Sequence, residues 1–230
     1  MAQEDQHGIL YGLGRMGVCE DQHGVLMHGL GRWLVYSRPR AWLGQRLELP
    51  RLLKGVKLPR AARCLDLATG LGWASAGIAR IAPSATIISV DYDFEVLPRA
   101  REYINAQRAA SIATMCRADG KRLPMRDRSF DLVVCLYGLH HFRGYLDALK
   151  EIARVLKPGG TFALIDPLRS KDKPTGGHGG MEIVTRAQMM RLLDEAGFEV
   201  VSSRVSFGSA RVVTRNRSGT NDARVATALA

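Results

Sequence analysis

The chain has 230 residues, 46% hydrophobic and 24% charged, a composition that suits one domain with a full hydrophobic core. No apolar run approaches the ~20 residues needed to cross a bilayer, and four cysteines without CxxC or Cys/His spacing indicate neither a disulfide framework nor a zinc site. The net charge of +11 is uneven, with nine basic residues between Arg32 and Arg63 facing one acid, Glu48. Such a segment is either a solvated face or an attractor for nucleic acid, an anionic membrane surface or an acidic substrate.

The chain begins with Met-Ala-Gln-Glu-Asp-Gln-His, polar and acidic, unlike a signal or transit peptide, so a cytoplasmic location is expected. Residues 4–15 and 20–32 repeat one phrase, Glu-Asp-Gln-His-Gly followed by Gly-Leu-Gly-Arg, with one residue inserted in the second copy. Two short copies cannot build a solenoid, and residues 1–32 read as a flexible arm. Its Gly-Leu-Gly pieces have no strand before them and are not nucleotide loops. Residues 33–60 set Trp33, Leu34, Trp42, Leu43, Leu47, Leu52 and Leu53 among arginines, with Pro39 and Pro50 as punctuation. This predicts one or two short basic amphipathic helices. They either pack on the core and shield a site or touch a membrane or greasy substrate.

A βα alternation occupies residues 61–215. Strands are expected at Arg63–Leu67, Thr86–Val90, Ile112–Arg117, Phe130–Tyr137 and Thr161–Ile165. Helices are expected over 73–81, Phe94–Arg108, Tyr145–Leu156, ended by Lys157-Pro158-Gly159-Gly160, and Thr185–Ala196. Alternation of this kind means right-handed βαβ units and a parallel sheet. Phe198–Ser206 and Ala210–Thr214 are too close for a crossover and predict an antiparallel hairpin added to that sheet. Cys64, Cys116 and Cys135 fall inside strands and read as small buried hydrophobes. Lys171–Gly180, with His178, is a Gly-rich loop that either covers substrate or merely links, and residues 216–230 read as a disordered tail.

Open α/β sheets bind ligands beyond the carboxyl ends of their strands, where strand order reverses. Gly70 and Gly72, after the first strand and before a helix, let the backbone turn tightly beside a ligand, and the helix N-terminus offers free amides. Asp91 ends the second strand and can accept from both ribose hydroxyls, which fits a nicotinamide dinucleotide as well as an adenosyl sulfonium. Asp119 and Gly120, after the third strand, form a turn whose acid can accept from an adenine amino group.

These residues resemble class I S-adenosylmethionine-dependent methyltransferases. Leu65-Asp66-Leu67-Ala68-Thr69-Gly70-Leu71-Gly72 resembles the family's first motif, and Ser89-Val90-Asp91-Tyr92-Asp93 its second-strand acid. Ala118-Asp119-Gly120 and Phe130-Asp131-Leu132-Val133-Val134 resemble its adenine loop and fourth strand. Gly138-Leu139-His140-His141-Phe142 and Val155-Leu156-Lys157-Pro158-Gly159-Gly160 look like the ubiquinone/menaquinone-methyltransferase-like branch, and the resemblance covers about residues 60–200. It implies a Rossmann-like mixed sheet of seven strands, order 3-2-1-4-5-7-6 with strand 7 antiparallel. It also implies Asp66 orienting the turn and the methionine amino end of S-adenosylmethionine. Ala68, Gly70 and Gly72 would lie along methionine and ribose, Asp91 on the ribose, Tyr92 against adenine and Asp119 with Gly120 at the adenine amine. Tyr137 would stand nearest the reactive methyl. Ala68 departs from the usual glycine, which a negative φ would tolerate.

The expected function is methyl transfer to a small-molecule acceptor such as a quinone, lipid or secondary metabolite. If the nucleophile is a hydroxyl or activated carbon, a base must take its proton, and His140, His141 and Tyr137 are the candidates, His140 and His141 otherwise being structural. The absence of an Asn/Asp-Pro-Pro-Tyr box, a Pro-Cys pair after the fourth strand and a second acid near Asp166 speaks against amino-group, RNA-carbon and metal-assisted catechol chemistry. RNA methylation, a nicotinamide-dependent oxidoreductase and a non-catalytic cofactor-binding regulator are the rivals. No basic-aromatic nucleic-acid module is present.

Overall fold

The computed structural model describes residues 18–20, 25–27, 37–107, 109, 113–169 and 181–217. The arm expected over residues 1–32 enters this description only as a two-strand antiparallel pair, β1 (Val18–Glu20) and β2 (Val25–Met27), with Cys19 opposite Leu26. Of the second copy of the phrase, Glu20 pairs with Val25, while Val18 and Cys19, which precede that copy, pair with Met27 and Leu26. Both Gly-Leu-Gly pieces, the loop at 170–180 and residues 218–230 lie outside the described residues.

The basic segment forms two short helices joined without a break: α1 (Arg38–Leu43), one π turn (Gly44–Glu48) and α2 (Leu49–Leu52). Ser37 caps α1 by accepting from the Arg40 amide, and Pro39 fills a first-turn position where no donor is needed. Pro50 does not end the helix. The turn before it widens, with the Leu49 amide donating to Gly44, and absorbs the donor that Pro50 lacks. Ala41, Gly44, Gln45, Leu49, Leu52 and Leu53 face inward. Gly44 lies flat on the Trp73 ring, where a Cβ would stand 2.7 Å from it, and Leu49 fills the space above Gly77. Gln45 accepts from the Tyr103 hydroxyl at 2.7 Å. Close approach of two glycine faces brings the arm onto the domain.

The domain follows as β3 (Arg63–Leu67), α3 (Trp73–Ile81), β4 (Thr86–Asp91), α4 (Val96–Ala106), β5 (Ala113–Arg117), β6 (Phe130–Leu136), α5 (Tyr145–Val155), β7 (Leu156–Pro167), α6 (Arg186–Glu195), β8 (Phe198–Ser206) and β9 (Ser209–Asn216). The sheet order is β5-β4-β3-β6-β7-β9-β8, parallel except for β9, which runs antiparallel to β7 and β8. Counted from β3, this is the expected 3-2-1-4-5-7-6. Helices cover both faces, and the near-continuous apolar β6, buried on both sides, reads as a central strand must.

Two boundaries differ in ways that bear on packing. β7 starts at Leu156 rather than Thr161, because Leu156 pairs with Phe130 before the Pro158–Gly160 irregularity and the ladder resumes at Leu132 with Thr161. The third strand is described from Ala113. At the C-terminal end, Asn216 belongs to β9 rather than to a tail. It is buried, and its Nδ2 donates to the carbonyls of Ala153 and Leu156 at 2.8 and 3.1 Å, closing the junction where α5 gives way to β7. Removing it orphans buried acceptors, so Asn216→Ala is expected to lower stability by about 1–3 kcal/mol in urea unfolding.

Candidate functional site

Strand order reverses between β3 and β6, so the loops after these strands diverge and leave a crevice. The turn after β3 enters it. Ala68, Gly70 and Gly72 all have positive φ, 56°, 53° and 76°. Gly72 precedes α3, and a Cβ there would stand 2.7 Å from Ile104. Ala68 therefore does not have the negative φ that would make its methyl harmless. It occupies the left-handed region at a cost of order 1–2 kcal/mol. Space for the methyl comes from Gly138, where a Cβ would lie only 2.4 Å from that of Ala68.

Two acids hold this turn. Asp66 Oδ2 accepts from Thr69 Oγ1 at 2.7 Å, Ser75 N at 2.9 Å and Ser75 Oγ at 2.7 Å. Asp91 Oδ2 accepts from the Gly70 amide at 2.9 Å and Oδ1 from the Asp93 amide at 3.0 Å. Burial pushes both carboxyls up to about 6, against the lowering effect of these donors.

One cavity of about 820 Å³ opens over the turn. Sheet order makes it two-sided. Asp91, Tyr92, Asp93, Asp119 and Gly120 line it from the β4 and β5 loops, and Tyr137, His140, His141, Pro167, Ser209 and Arg211 from β6, β7 and β9. The helical arm contributes Arg40, Leu43, Leu47, Glu48 and Arg51. Asp119 Oδ1 accepts from the Lys121 amide at 2.9 Å and shapes its own turn. Gly120 lies flat on Phe142, where a Cβ would stand 2.3 Å from the ring. The Arg117 guanidinium covers Tyr92 at 5.5 Å from its ring centre.

The loop after β6 begins with Tyr137, also left-handed (φ 59°), whose amide donates to Ile165 at 2.6 Å. Its ring lies under Arg40 at 4.9 Å, and burial raises the phenol above its ordinary range, with Glu48 adding to the effect. A 3-10 turn follows at Leu139–His141. There the His140 ring meets the buried Asp166 at the end of β7, Nδ1 to Oδ1 at 2.9 Å. The Tyr145 hydroxyl donates to the other Asp166 oxygen at 3.5 Å. A histidine that donates Nδ1–H to a carboxylate keeps Nε2 as an acceptor. The His141 ring stands 4.2 Å from that of His140.

Of the residues expected at the site, Ala68, Gly70, Asp91, Tyr92, Asp119, Gly120, Tyr137, His140 and His141 line the cavity together. Asp66 and Gly72 do not. Asp66 is spent on Thr69 and Ser75 behind the turn, and Gly72 is pressed against Ile104. Sequence reasoning missed Arg40, Trp73, Phe142 and Arg211 as wall residues. It weighed Asp166 only as a metal ligand, since nothing in sequence spacing ties it to His140. Arg40 pairs through Nη2 with Glu48 at 2.9 Å, and its buried Nη1 has no hydrogen-bond partner among the described residues. An orphaned guanidinium donor at the cavity wall is a ready partner for a carboxylate. Together with Asp91 and the Gly70 turn, it fits an amino acid-nucleoside such as S-adenosylmethionine.

Residues 65–164 match the family described as "Methyltransferase domain". The solved "[4+2]-Cyclase SpnF" has this fold, with TM-score 0.69 and 19% identity, over 76% of this chain and 81% of that one. So does a "SAM dependent methyltransferase" from Aquifex aeolicus, with TM-score 0.65 and 20% identity, over 80% and 96%. The family match spans less than half of the chain, and the solved structures share its fold. A segment of 104 residues is 36% identical to the demethylmenaquinone methyltransferase of Deinococcus radiodurans. The match covers 45% of this chain and 42% of that protein, less than half the length of either.

The crowding of Ala68 and Gly138 predicts a coupled pair. Gly138→Ala alone is expected to destabilise by about 2–3 kcal/mol through overpacking. In an Ala68→Gly background most of that loss disappears, and Ala68→Gly alone stabilises by up to about 1 kcal/mol. A double-mutant cycle by thermal or urea unfolding measures this. Additive effects would contradict the geometry.

Proposed function

We propose that this chain transfers a methyl group from S-adenosylmethionine to an oxygen or activated carbon of a small lipophilic molecule. The reading rests on one observation: Asp91 and the Asp166-held His140 face the same cavity. S-adenosylmethionine, when bound, supplies a methyl carbon activated by its sulfonium. Asp91 accepts from the ribose hydroxyls, Asp119 from the adenine amine, and Arg40 Nη1 donates to the methionine carboxylate. Tyr92 lies beside the adenine, and Trp73 and Phe142 exclude water. His140 Nε2 takes the proton from the acceptor, and Asp166 is a positioning residue that fixes the tautomer and ring. Leu43, Leu47, Met181 and Ile183 supply an apolar wall for the acceptor. The Deinococcus radiodurans relative, whose name gives demethylmenaquinone as acceptor, supports a quinone-like molecule.

Calorimetry with S-adenosylhomocysteine and, separately, NADH tests the cofactor. Binding of the first alone, abolished in Asp91→Ala, is expected. No binding of S-adenosylhomocysteine at millimolar concentration would sink the proposal.

Acidity separates binding from stability. A raised carboxyl favours the folded state most while protonated. The contribution of Asp66 and Asp91 is therefore fully present below the ordinary carboxylate pKa and is lost as pH rises through about 6. Ribose hydroxyls need the ionised form of Asp91 as acceptor. S-adenosylhomocysteine affinity is thus expected to rise as pH climbs through about 6, and calorimetry across pH 5 to 8 checks the direction.

For the base, turnover is read with labelled S-adenosylmethionine on a lipid extract. His140→Ala is expected to lower kcat by roughly 10²-fold or more. Asp166→Asn lowers kcat and alters the pH profile, with cofactor KM unchanged. Turnover within a few-fold of the parent in His140→Ala would remove that role.

A further inference from the structure

The helical arm buries one face and leaves the other without a partner among the described residues. On the outward face the exposed residues come in steps of four: Arg38 and Pro39, Trp42 and Leu43, Arg46 and Leu47, Pro50 and Arg51, then Lys54. Trp42 is 54% exposed and Leu43 41%. Arg38 pairs with Glu102 and Arg40 with Glu48. Arg46, Arg51 and Lys54 make no ion pair among the described residues. Large apolar side chains interleaved with free cations on one helix face are the pattern of a helix lying in a membrane interface. No described helix is long and apolar enough to cross a membrane.

A second apolar group shares the rim. Phe207 is fully exposed at the tip of the β8–β9 turn and lines the same cavity as Leu43, Leu47 and Arg51. This two-residue turn has positive φ at both Phe207 (51°) and Gly208 (70°). Such a type I′ hairpin turn favours Asn-Gly, because asparagine tolerates the left-handed region and water. A phenylalanine there meets two penalties at once, strain and an exposed ring, and none of the described residues buries it. A surface outside the molecule that accepts an aromatic ring accounts for both.

We propose that this rim docks on an anionic phospholipid surface. Trp42, Leu43, Leu47 and Phe207 enter the boundary between headgroups and acyl chains, and Arg46, Arg51 and Lys54 meet lipid phosphates. The segment from Arg32 to Arg63, with nine cations and only the already paired Glu48 against them, supplies the charge complementarity. Nucleic acid would use the cations and stack on the aromatic rings but leave the exposed Leu43 and Leu47 unexplained. In this pose the cavity opens toward the bilayer, and a lipophilic acceptor enters past Leu43, Leu47 and Phe207 without crossing water. Docking rests on the surface alone. Only acceptor delivery depends on the methyltransferase reading.

Co-sedimentation of the full chain with phosphatidylcholine vesicles, with and without phosphatidylglycerol, tests it. Binding to the anionic vesicles, weakened by salt, and at least several-fold weaker binding to the neutral ones are expected. Arg46→Glu and Lys54→Glu each lower binding roughly fivefold, and Trp42→Ala lowers it further, while S-adenosylhomocysteine affinity measured by calorimetry stays at the parent value. Phe207→Asn lowers vesicle binding while its melting temperature holds or rises, a split that a structural role for the ring would not produce. No sedimentation with anionic vesicles, undiminished binding by the Trp42→Ala/Arg46→Glu double variant, or retention of a single-stranded RNA oligonucleotide in place of vesicles overturns the proposal. A failure of S-adenosylhomocysteine binding with vesicle binding intact would count against the methyltransferase reading instead.

Discussion

The backbone after β3 passes through the left-handed region three times, and Asp66 and Asp91 hold it there from behind. The fixed amides and hydroxyls of the turn give these carboxylates partners that water would otherwise provide. Burial still raises both acids, so the turn carries a desolvation cost in every ionised state. Asp91 differs from Asp66 in one respect that matters for function, because it lines the cavity. Hydroxyl groups of a bound nucleoside add donors to it, whereas Asp66, buried behind the turn, directs its Oδ2 to Thr69 and Ser75. The same arrangement therefore fixes the loop and leaves one acceptor open to a ligand.

Strand order turns this local feature into an asymmetric site. β3, β4 and β5 bring acids and flat glycine surfaces to one half of the sheet edge, while β6, β7 and β9 bring aromatic, imidazole and guanidinium groups to the other. The helical arm lies over both and supplies the Arg40–Glu48 pair beside Tyr137 and Trp73. The fold alone does not choose the chemistry. The [4+2]-cyclase SpnF has the same architecture, so the chemistry rests on His140, Asp166 and the cavity wall.

Three of the four non-glycine residues with positive φ among the described residues, Ala68, Tyr137 and Phe207, line the cavity. Strain of this kind persists where surrounding structure overdetermines the backbone and tends to mark functional sites. At Ala68 the surrounding structure is Gly138, which yields its side-chain space. At Tyr137 it is the bond from its amide to Ile165 on β7. At Phe207 the hairpin ladder holds the backbone, but the fully exposed ring is buried by none of the described residues. That difference separates residues that shape the interior of the site from one that faces outward.

Alternation of apolar strands and amphipathic helices, with a link too short for a crossover before the last strand, determined a parallel sheet with an antiparallel hairpin, whereas the strand order was implied only by the family resemblance. Those rules are local in sequence. The acids and glycines after the first three strands were legible for the same reason, since each lies next to the strand end that places it. The pairing of His140 with Asp166 was not, because 26 residues separate them and only the adjacency of β6 and β7 brings them within 2.9 Å. The sign of φ at Ala68 depended on a neighbour 70 positions away. The continuity of the arm through Pro50 depended on one π turn. Whether the arm's arginines and leucines face the core or the outside was likewise decided by tertiary contact, because Gly44 and Gly77 permit the close approach that selects which helix face is buried.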